Sequence, residues 1–276
     1  MAMQANAVPP LREDAPERKR DPRIGAVPSR RVLGMRVDAT SYRQAAETIL
    51  ALAEPGAGGI TCVATVHMVM EAHDSESFRK LVNAAELVTP DGVPLVWMLR
   101  ALGLPQAQRV YGPDLTPVVC AEAAARGVPV GFYGASAEAI DALVQSLTQR
   151  FPQLEVVFAH SPPYRSLSAE EDESVSEAIR DSGARVLFVG IGCPKQERWM
   201  AAHRERLDCS MVGVGAAFDF LAGHKAVAPA WLQRAGLEWL FRLSQEPRRL
   251  WGRYARHNPR FMALAARQLA GRRGSR

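Results

Sequence analysis

The sequence predicts an α/β fold: a mostly parallel sheet covered by helices on both faces, with a basic helical appendage at its C-terminal end. Three observations carry this. Between residues 31 and 230, short strand-like runs alternate with helix-length stretches. The runs are apolar at successive positions, as strands covered on both faces are. Residues 231–276 differ in kind, with eleven arginines, no lysine and two acids, Glu238 and Glu246.

Taken in order, residues 1–30 carry five prolines and many charges without an apolar stretch. That predicts a disordered leader rather than a secretory signal. The α/β domain is assigned to residues 31–230. Gly59–Thr65 is a β-rich run, followed by a helix-length stretch from Val66 to Ala85. Glu86–Thr89 leads into Pro90-Asp91-Gly92 and then a helical stretch through Leu102. Val128–Tyr133 is a buried strand ending at Gly134, and Ser136–Arg150 reads as a helix. Leu154–Ala159 is the next strand. Ser168 and Glu171 have capping-box spacing and start a helix that ends before Gly183. The acids at 170–173 are thereby explained as helix N-terminal charge. Arg185–Val189 and Ser210–Val214 are the last strands, closing on Gly190 and Gly215.

The appendage, residues 231–276, shows apolar residues at helical spacing: Leu232, Ala235, Trp239 and Leu243, then Leu250, Trp251 and Tyr254. Pro247 and the Asn258-Pro259 step predict a division into short helices, because proline lacks a donor and restricts its predecessor. Basic amphipathic helices with interfacial aromatics suit an anionic membrane surface. The alternatives are packing or self-association of the tryptophans, which leaves a homo-oligomer open, and nucleic-acid binding. No helix-turn-helix, RRM or zinc-finger pattern supports the last.

Composition removes several classes. No run of about 18 apolar residues exists to span a bilayer. Cys62, Cys120, Cys193 and Cys209 lie far apart with no C-x-x-C pair, as reduced thiols of a cytoplasmic protein do. The six histidines are scattered, without the pairwise spacing of a metal site. No metal or other cofactor is expected.

In doubly wound sheets ligands sit beyond the carboxyl ends of the strands. Four segments fall there: Thr65-Val66-His67, Pro90-Asp91-Gly92, Gly134-Ala-Ser136 and Gly190–Glu197. The last two each follow a strand and open a helix, so glycine backbone and free amide donors can face phosphate oxygens. Gly213-Val-Gly-Ala-Ala-Phe218 misses the dinucleotide fingerprint by one residue, which disfavours an NAD(P) oxidoreductase. Asp91 stands where a general base is useful, although Pro-Asp-Gly is also ordinary turn chemistry. Arg109 offers a forked donor to phosphate.

Read together, these landmarks resemble the WecG/TagA/CpsF bacterial glycosyltransferases, glycosyltransferase family 26. The resemblance runs from about residue 31 to 260. It rests on Thr65, Pro90-Asp91-Gly92-Val-Pro94, Arg109-Val-x-Gly-x-Asp114, Gly134-x-Ser136, Gly192-x-Pro-x-Gln-Glu197 and Gly213-Val-Gly-x-x-Phe-Asp219-Phe-x-Ala-Gly223. It continues through Ala228-Pro229-x-Trp231 and Gly236-Leu-Glu-Trp239-x-x-Arg242-x-x-x-Glu-Pro247-x-Arg249-Leu.

The resemblance implies a Rossmann-like enzyme that moves a sugar, with inversion, from a UDP donor to a polyprenyl-diphosphate-linked acceptor in cell-surface or exopolysaccharide biosynthesis. The enzyme would sit peripherally on the inner face of the cytoplasmic membrane. It implies Asp91 as base, with Thr65 and His67 in the active site. Arg109, Gly134, Ser136, Gly192, Lys195, Gln196, Glu197, Gly215, Phe218 and Asp219 would form the donor side. Arg242, Arg249 and Arg253 would grip the lipid diphosphate.

Two positions depart from the family pattern: His67 stands where asparagine is usual, and Val227 where arginine precedes Ala-Pro. Both leave the donor sugar open. The chain contains no D-x-D motif, so leaving-group charge would fall to helix N-termini and cations such as Arg109 or Lys195. The competing readings are a non-catalytic nucleotide-sugar-binding protein and the oxidoreductase already named.

Overall fold

A computed structural model describes residue 25 and residues 27–273 of the 276-residue chain. Most of the segment read as a leader therefore lies outside the described residues. Val27 is already buried, however, and the first strand begins at Ser29.

That strand, β1 (Ser29–Val32), pairs antiparallel with β2 (Met35–Asp38), a hairpin that sequence patterning did not reveal. Its turn places Leu33 and Gly34 at positive φ. Val32, Met35 and Val37 are buried. Asp38 reaches across to accept the Val88 backbone N–H at 2.8 Å. The hairpin thus satisfies part of an edge strand that would otherwise stand open.

Helix α1 (Tyr42–Ala51) follows, capped by Ser41. Strand β3 (Gly59–Ala64) then leads to α2 (Val66–Asp74) and α3 (Glu76–Asn83). The expected single helix over 66–85 is two, because Ser75 takes an extended conformation and caps α3 with its hydroxyl. The order continues with β4 (Leu87–Pro90), α4 (Val93–Ala101), α5 (Gly112–Arg126), β5 (Val130–Gly134), α6 (Ala137–Arg150) and β6 (Val156–His160). Next come α7 (Ala169–Ser182), β7 (Val186–Gly190), α8 (Lys195–His203), β8 (Ser210–Gly213) and α9 (Ala217–Leu221). The capping box at Ser168 and Glu171 forms as its spacing predicts.

The sheet has six strands in the order β4-β3-β8-β7-β5-β6, all parallel. Alternation along the strands explains its two covered faces. Leu187 and Val189 of β7 join an apolar layer with Ile60, Cys62, Met68 and Phe78. Val186 and Phe188 point into the opposite layer with Leu115, Val119, Phe132 and Leu143. Both faces being buried, the strands read as unbroken apolar runs.

The appendage forms α10 (Ala230–Arg234), α11 (Glu238–Gln245) and α12 (Pro247–Arg273). Pro247 opens α12, but Pro259 lies inside it, so the expected break at Asn258-Pro259 does not occur. An interior proline costs about 3 kcal/mol, and tertiary contacts offset it. Leu250, Phe261 and Ala265 are buried. Arg260 pairs in a fork with Asp74 at 2.7 and 2.8 Å. Gln268 accepts the Leu33 N–H at 3.0 Å and donates to the Arg31 carbonyl at 2.7 Å. The appendage is packed on the α/β domain.

Candidate functional site

Two regions lie at the carboxyl edge of the sheet, and α11 runs between them. The first is a cleft of about 850 Å³ beyond β5, β7 and β8. Its floor requires close backbone approach. A Cβ at Gly134, whose φ is 138°, would meet the Gly190 backbone at 2.5 Å. Its neighbour Ala135 also has positive φ, at 55°, a strain of the kind found at ligand sites. Ser136 caps α6 by accepting the Ala139 N–H.

Of the residues expected on the donor side, Gly192, Lys195, Gly215, Phe218 and Asp219 line this cleft. Gly134 and Ser136 do not line it, although their neighbours Tyr133 and Ala135 do, and neither do Gln196 and Glu197. Gln196 accepts the Gly192 N–H at 3.1 Å and donates to Glu197 at 2.7 Å. Both are buried, so they shape the loop rather than face the cleft. Burial pushes the Glu197 carboxyl up to about 7, opposed by the hydrogen bond from Gln196.

Sequence reasoning missed the aromatic wall of the cleft. Tyr133 stacks on Trp199 at 4.7 Å, and Trp199 on His203 at 4.0 Å. Residues 162–169 line the cleft as well. Pro162-Pro163 after a strand end was the available signal; for Trp199 only the fold shows which side of α8 faces the cleft. Glu246 and Arg249 bring the appendage to the same opening, beside Lys225 of the α/β domain. Lys225 is tied to Asp219, and Arg249 to Glu246.

The second region lies beyond β3 and β4. These strands run in register, Ala64 opposite Pro90, so the next residues, Thr65 and Asp91, end neighbouring strands about 4.8 Å apart. The Asp91 N–H donates to the Ala64 carbonyl at 2.9 Å. Thr65 caps α2, its hydroxyl accepting from Met68. The Asp91 side chain is 14% exposed and is absent from the wall of the large cleft.

Arg109 does not extend into that cleft. Its Nε donates to the Asp91 carbonyl at 2.6 Å, and its Nη2 bridges Asp91 Oδ1 at 3.1 Å and Glu238 Oε2 at 2.7 Å. The guanidinium also lies 4.2 Å over the Tyr111 ring. Burial raises Asp91 to about 6; Arg109 works against this and Glu238 reinforces it. A carboxyl poised there is ionised near neutral pH yet a better base than an exposed aspartate.

The appendage supplies the rest. Arg242 stands near Asp91 and packs on Phe220 at 5.3 Å. Arg253 stands near His67, whose imidazole falls to about 4 through burial and then the charges of Arg253 and His257. Burial, then crowding by Arg249 and Arg242, lowers the Arg253 guanidinium. Among the described residues, neither Arg242 nor Arg253 has a carboxylate within ion-pair distance. Arg249, the third expected lipid-diphosphate ligand, faces the cleft.

Fold and cleft place the chain among α/β enzymes that bind their ligands at the carboxyl edge of a parallel sheet. A comparison with known families makes this particular: residues 30–275 match the Glycosyl transferase WecG/TagA/CpsF family. With the match extending over most of its length, the chain belongs to that family and is a glycosyltransferase. It is 30% identical over 222 residues to an N-acetylglucosaminyldiphosphoundecaprenol N-acetyl-beta-D-mannosaminyltransferase of Staphylococcus aureus (strain MW2), covering 79% of this chain and 85% of the relative. The protein of that name from Staphylococcus aureus (strain NCTC 8325 / PS 47) is 31% identical over 214 residues, covering 76% and 82%. No helix among the described residues is long and apolar enough to cross a membrane.

Proposed function

We propose that the chain is an inverting transferase that moves a sugar from UDP to a polyprenyl-diphosphate-linked acceptor, working peripherally at the inner face of the cytoplasmic membrane. The observation that carries this reading is the pair Arg242 and Arg253: partly buried, without carboxylate partners within ion-pair distance among the described residues, and set beside Asp91 and His67. Crowded guanidinium groups of this kind are suited to a multivalent anion. The names of the relatives specify an acceptor bearing such a diphosphate.

In this reading the nucleotide occupies the cleft, lying against its Tyr133–Trp199 wall. The sugar extends along α11 toward Asp91. Residues 238 to 246 span about 12 Å at 1.5 Å per residue, and join the two regions. Asp91 takes the proton of the attacking acceptor hydroxyl; the new glycosidic bond forms at the anomeric carbon as the bond to UDP breaks on the opposite face. Lys195 and the amides at the start of α8 stabilise the departing diphosphate. No metal is assigned to that step, since the chain has no D-x-D motif. The exposed Trp231 and Trp251, among the appendage arginines, provide the membrane face.

Arg242→Gln and Arg253→Gln test the reading through substrate-specific kinetics with a soluble polyprenyl-diphosphate analogue. Each should raise the acceptor KM about tenfold or more, in line with a charge-assisted contact, and leave UDP affinity within twofold. An equal loss of UDP affinity would move these arginines to the donor and overturn the assignment.

A further inference from the structure

We propose that His67, Glu71 and His257 form a divalent-metal site, zinc-like in preference, that fastens α12 to α2. One nitrogen or oxygen from each residue lies within 4.8 Å of the others. His67 Nε2 is 3.3 Å from Glu71 Oε1, and His257 Nε2 is 3.9 Å from the same oxygen. The imidazole rings meet edge-on at a centroid distance of 5.2 Å.

Ligand bonds of 2.0–2.2 Å in a tetrahedral zinc site place ligand atoms about 3.4 Å apart. One of the three spacings already matches, and the other two, both within 4.8 Å, close by side-chain rotation. His67 and Glu71 are four residues apart on α2 and share a face, the spacing by which helices commonly present metal ligands. His257 arrives from α12 and is buried, and its Nδ1 has no hydrogen-bond partner among the described residues. The ring's other nitrogen, Nε2, is the one turned to Glu71.

Two imidazoles and one carboxylate make the donor set of a three-ligand zinc site with an open fourth position. The neighbouring charges sharpen the choice of metal. Arg253 faces His67, and Arg256 and Arg260 flank His257, against the single additional acid Asp74. A hard cation such as magnesium, bound mainly by charge, is disfavoured there, whereas imidazole-to-zinc bonding is not. The consequence is structural: a metal joining the α/β domain to the appendage would hold Arg253 over the Thr65–Asp91 end of the sheet.

The test uses the full-length protein, freed of metal by chelation and titrated with zinc by calorimetry and with cobalt by visible absorption. One equivalent should bind, with the intense bands of tetrahedral cobalt. His67→Asn, Glu71→Gln and His257→Ala should each weaken binding about tenfold or more. His224→Ala, an exposed histidine elsewhere, should not. At a fixed zinc concentration, Tm should rise more for the wild type and His224→Ala than for the three ligand variants. Glu71→Gln is isosteric and partly exposed, so it remains informative if His257→Ala fails to fold. Absence of stoichiometric binding to the folded wild type would overturn the site. So would zinc affinity indifferent to Glu71→Gln, or lost only on replacing Cys193.

Discussion

Glu238, 129 residues beyond Arg109, accepts its guanidinium at 2.7 Å. It is the one buried residue of α11, a helix otherwise set on the surface. Arg109 carries Asp91 on the same nitrogen, so the appendage reaches the candidate base through a shared cation. Half-buried and bidentate, this arrangement positions Asp91 and sets its charge.

The first prediction concerns pH. Asp91, raised to about 6 chiefly by burial, is protonated and inactive as a base below that value. kcat/KM should therefore fall as pH drops through about 6. Glu238→Gln removes a negative neighbour and should move this acid limb to lower pH. Arg109→Gln removes the opposing cation and should move it upward. Limbs that coincide in all three proteins would assign the titration to another group.

Removing the base directly gives a second expectation. Asp91→Asn should cut turnover by about a hundredfold or more. Because Asp91 is absent from the wall of the large cleft, UDP affinity measured by calorimetry should be retained. Near-normal turnover would take Asp91 out of the chemistry.

Membrane docking is best tested on the surface. Deleting residues 231–276 would strip Leu250, Phe261 and Ala265 from the core, so loss of function would have two causes. Trp231 and Trp251 are 63% and 65% exposed, and replacing both with serine should leave Tm within a few degrees. The same variant should partition several-fold less onto anionic vesicles in a sedimentation assay. Unchanged partitioning would exclude these indoles from the membrane face.

Glycine at 134 is needed on two grounds, its φ of 138° and the Gly190 backbone 2.5 Å from any Cβ. Gly134→Ala should lower the urea midpoint by the equivalent of about 1–3 kcal/mol and weaken UDP binding, since the strand ends that form the cleft floor must separate. A variant of wild-type stability would show that the floor can relax.

Glu197 makes stability itself depend on pH. Its folded proton affinity, about 7, is raised above the ordinary carboxyl value of 4.5 by burial. The folded state therefore binds the proton more tightly than the unfolded chain. That contribution is complete below about 4.5 and is lost as pH rises through about 7. Asp91 acts in the same direction up to about 6. The urea midpoint of Glu197→Gln relative to wild type should accordingly rise between pH 5 and pH 8.

The six sheet strands, the capping box at Ser168 and the strand-end positions of Thr65, Asp91, Gly134 and Gly190 were legible in the chain, because each depends on local periodicity or on φ preferences of single residues. The break at Ser75 was harder, since a serine inside a helical pattern is a cap only if the backbone turns there. Tertiary structure alone decided the β1–β2 hairpin, the continuity of α12 through Pro259, the burial of Gln196 and Glu197, and the capture of Arg109 by Asp91 and Glu238. In each case packing or a partner far along the chain outweighs a local preference of a few kcal/mol at most. The meeting of His67 with His257 belongs to the same class, being a property of how α12 lies on α2.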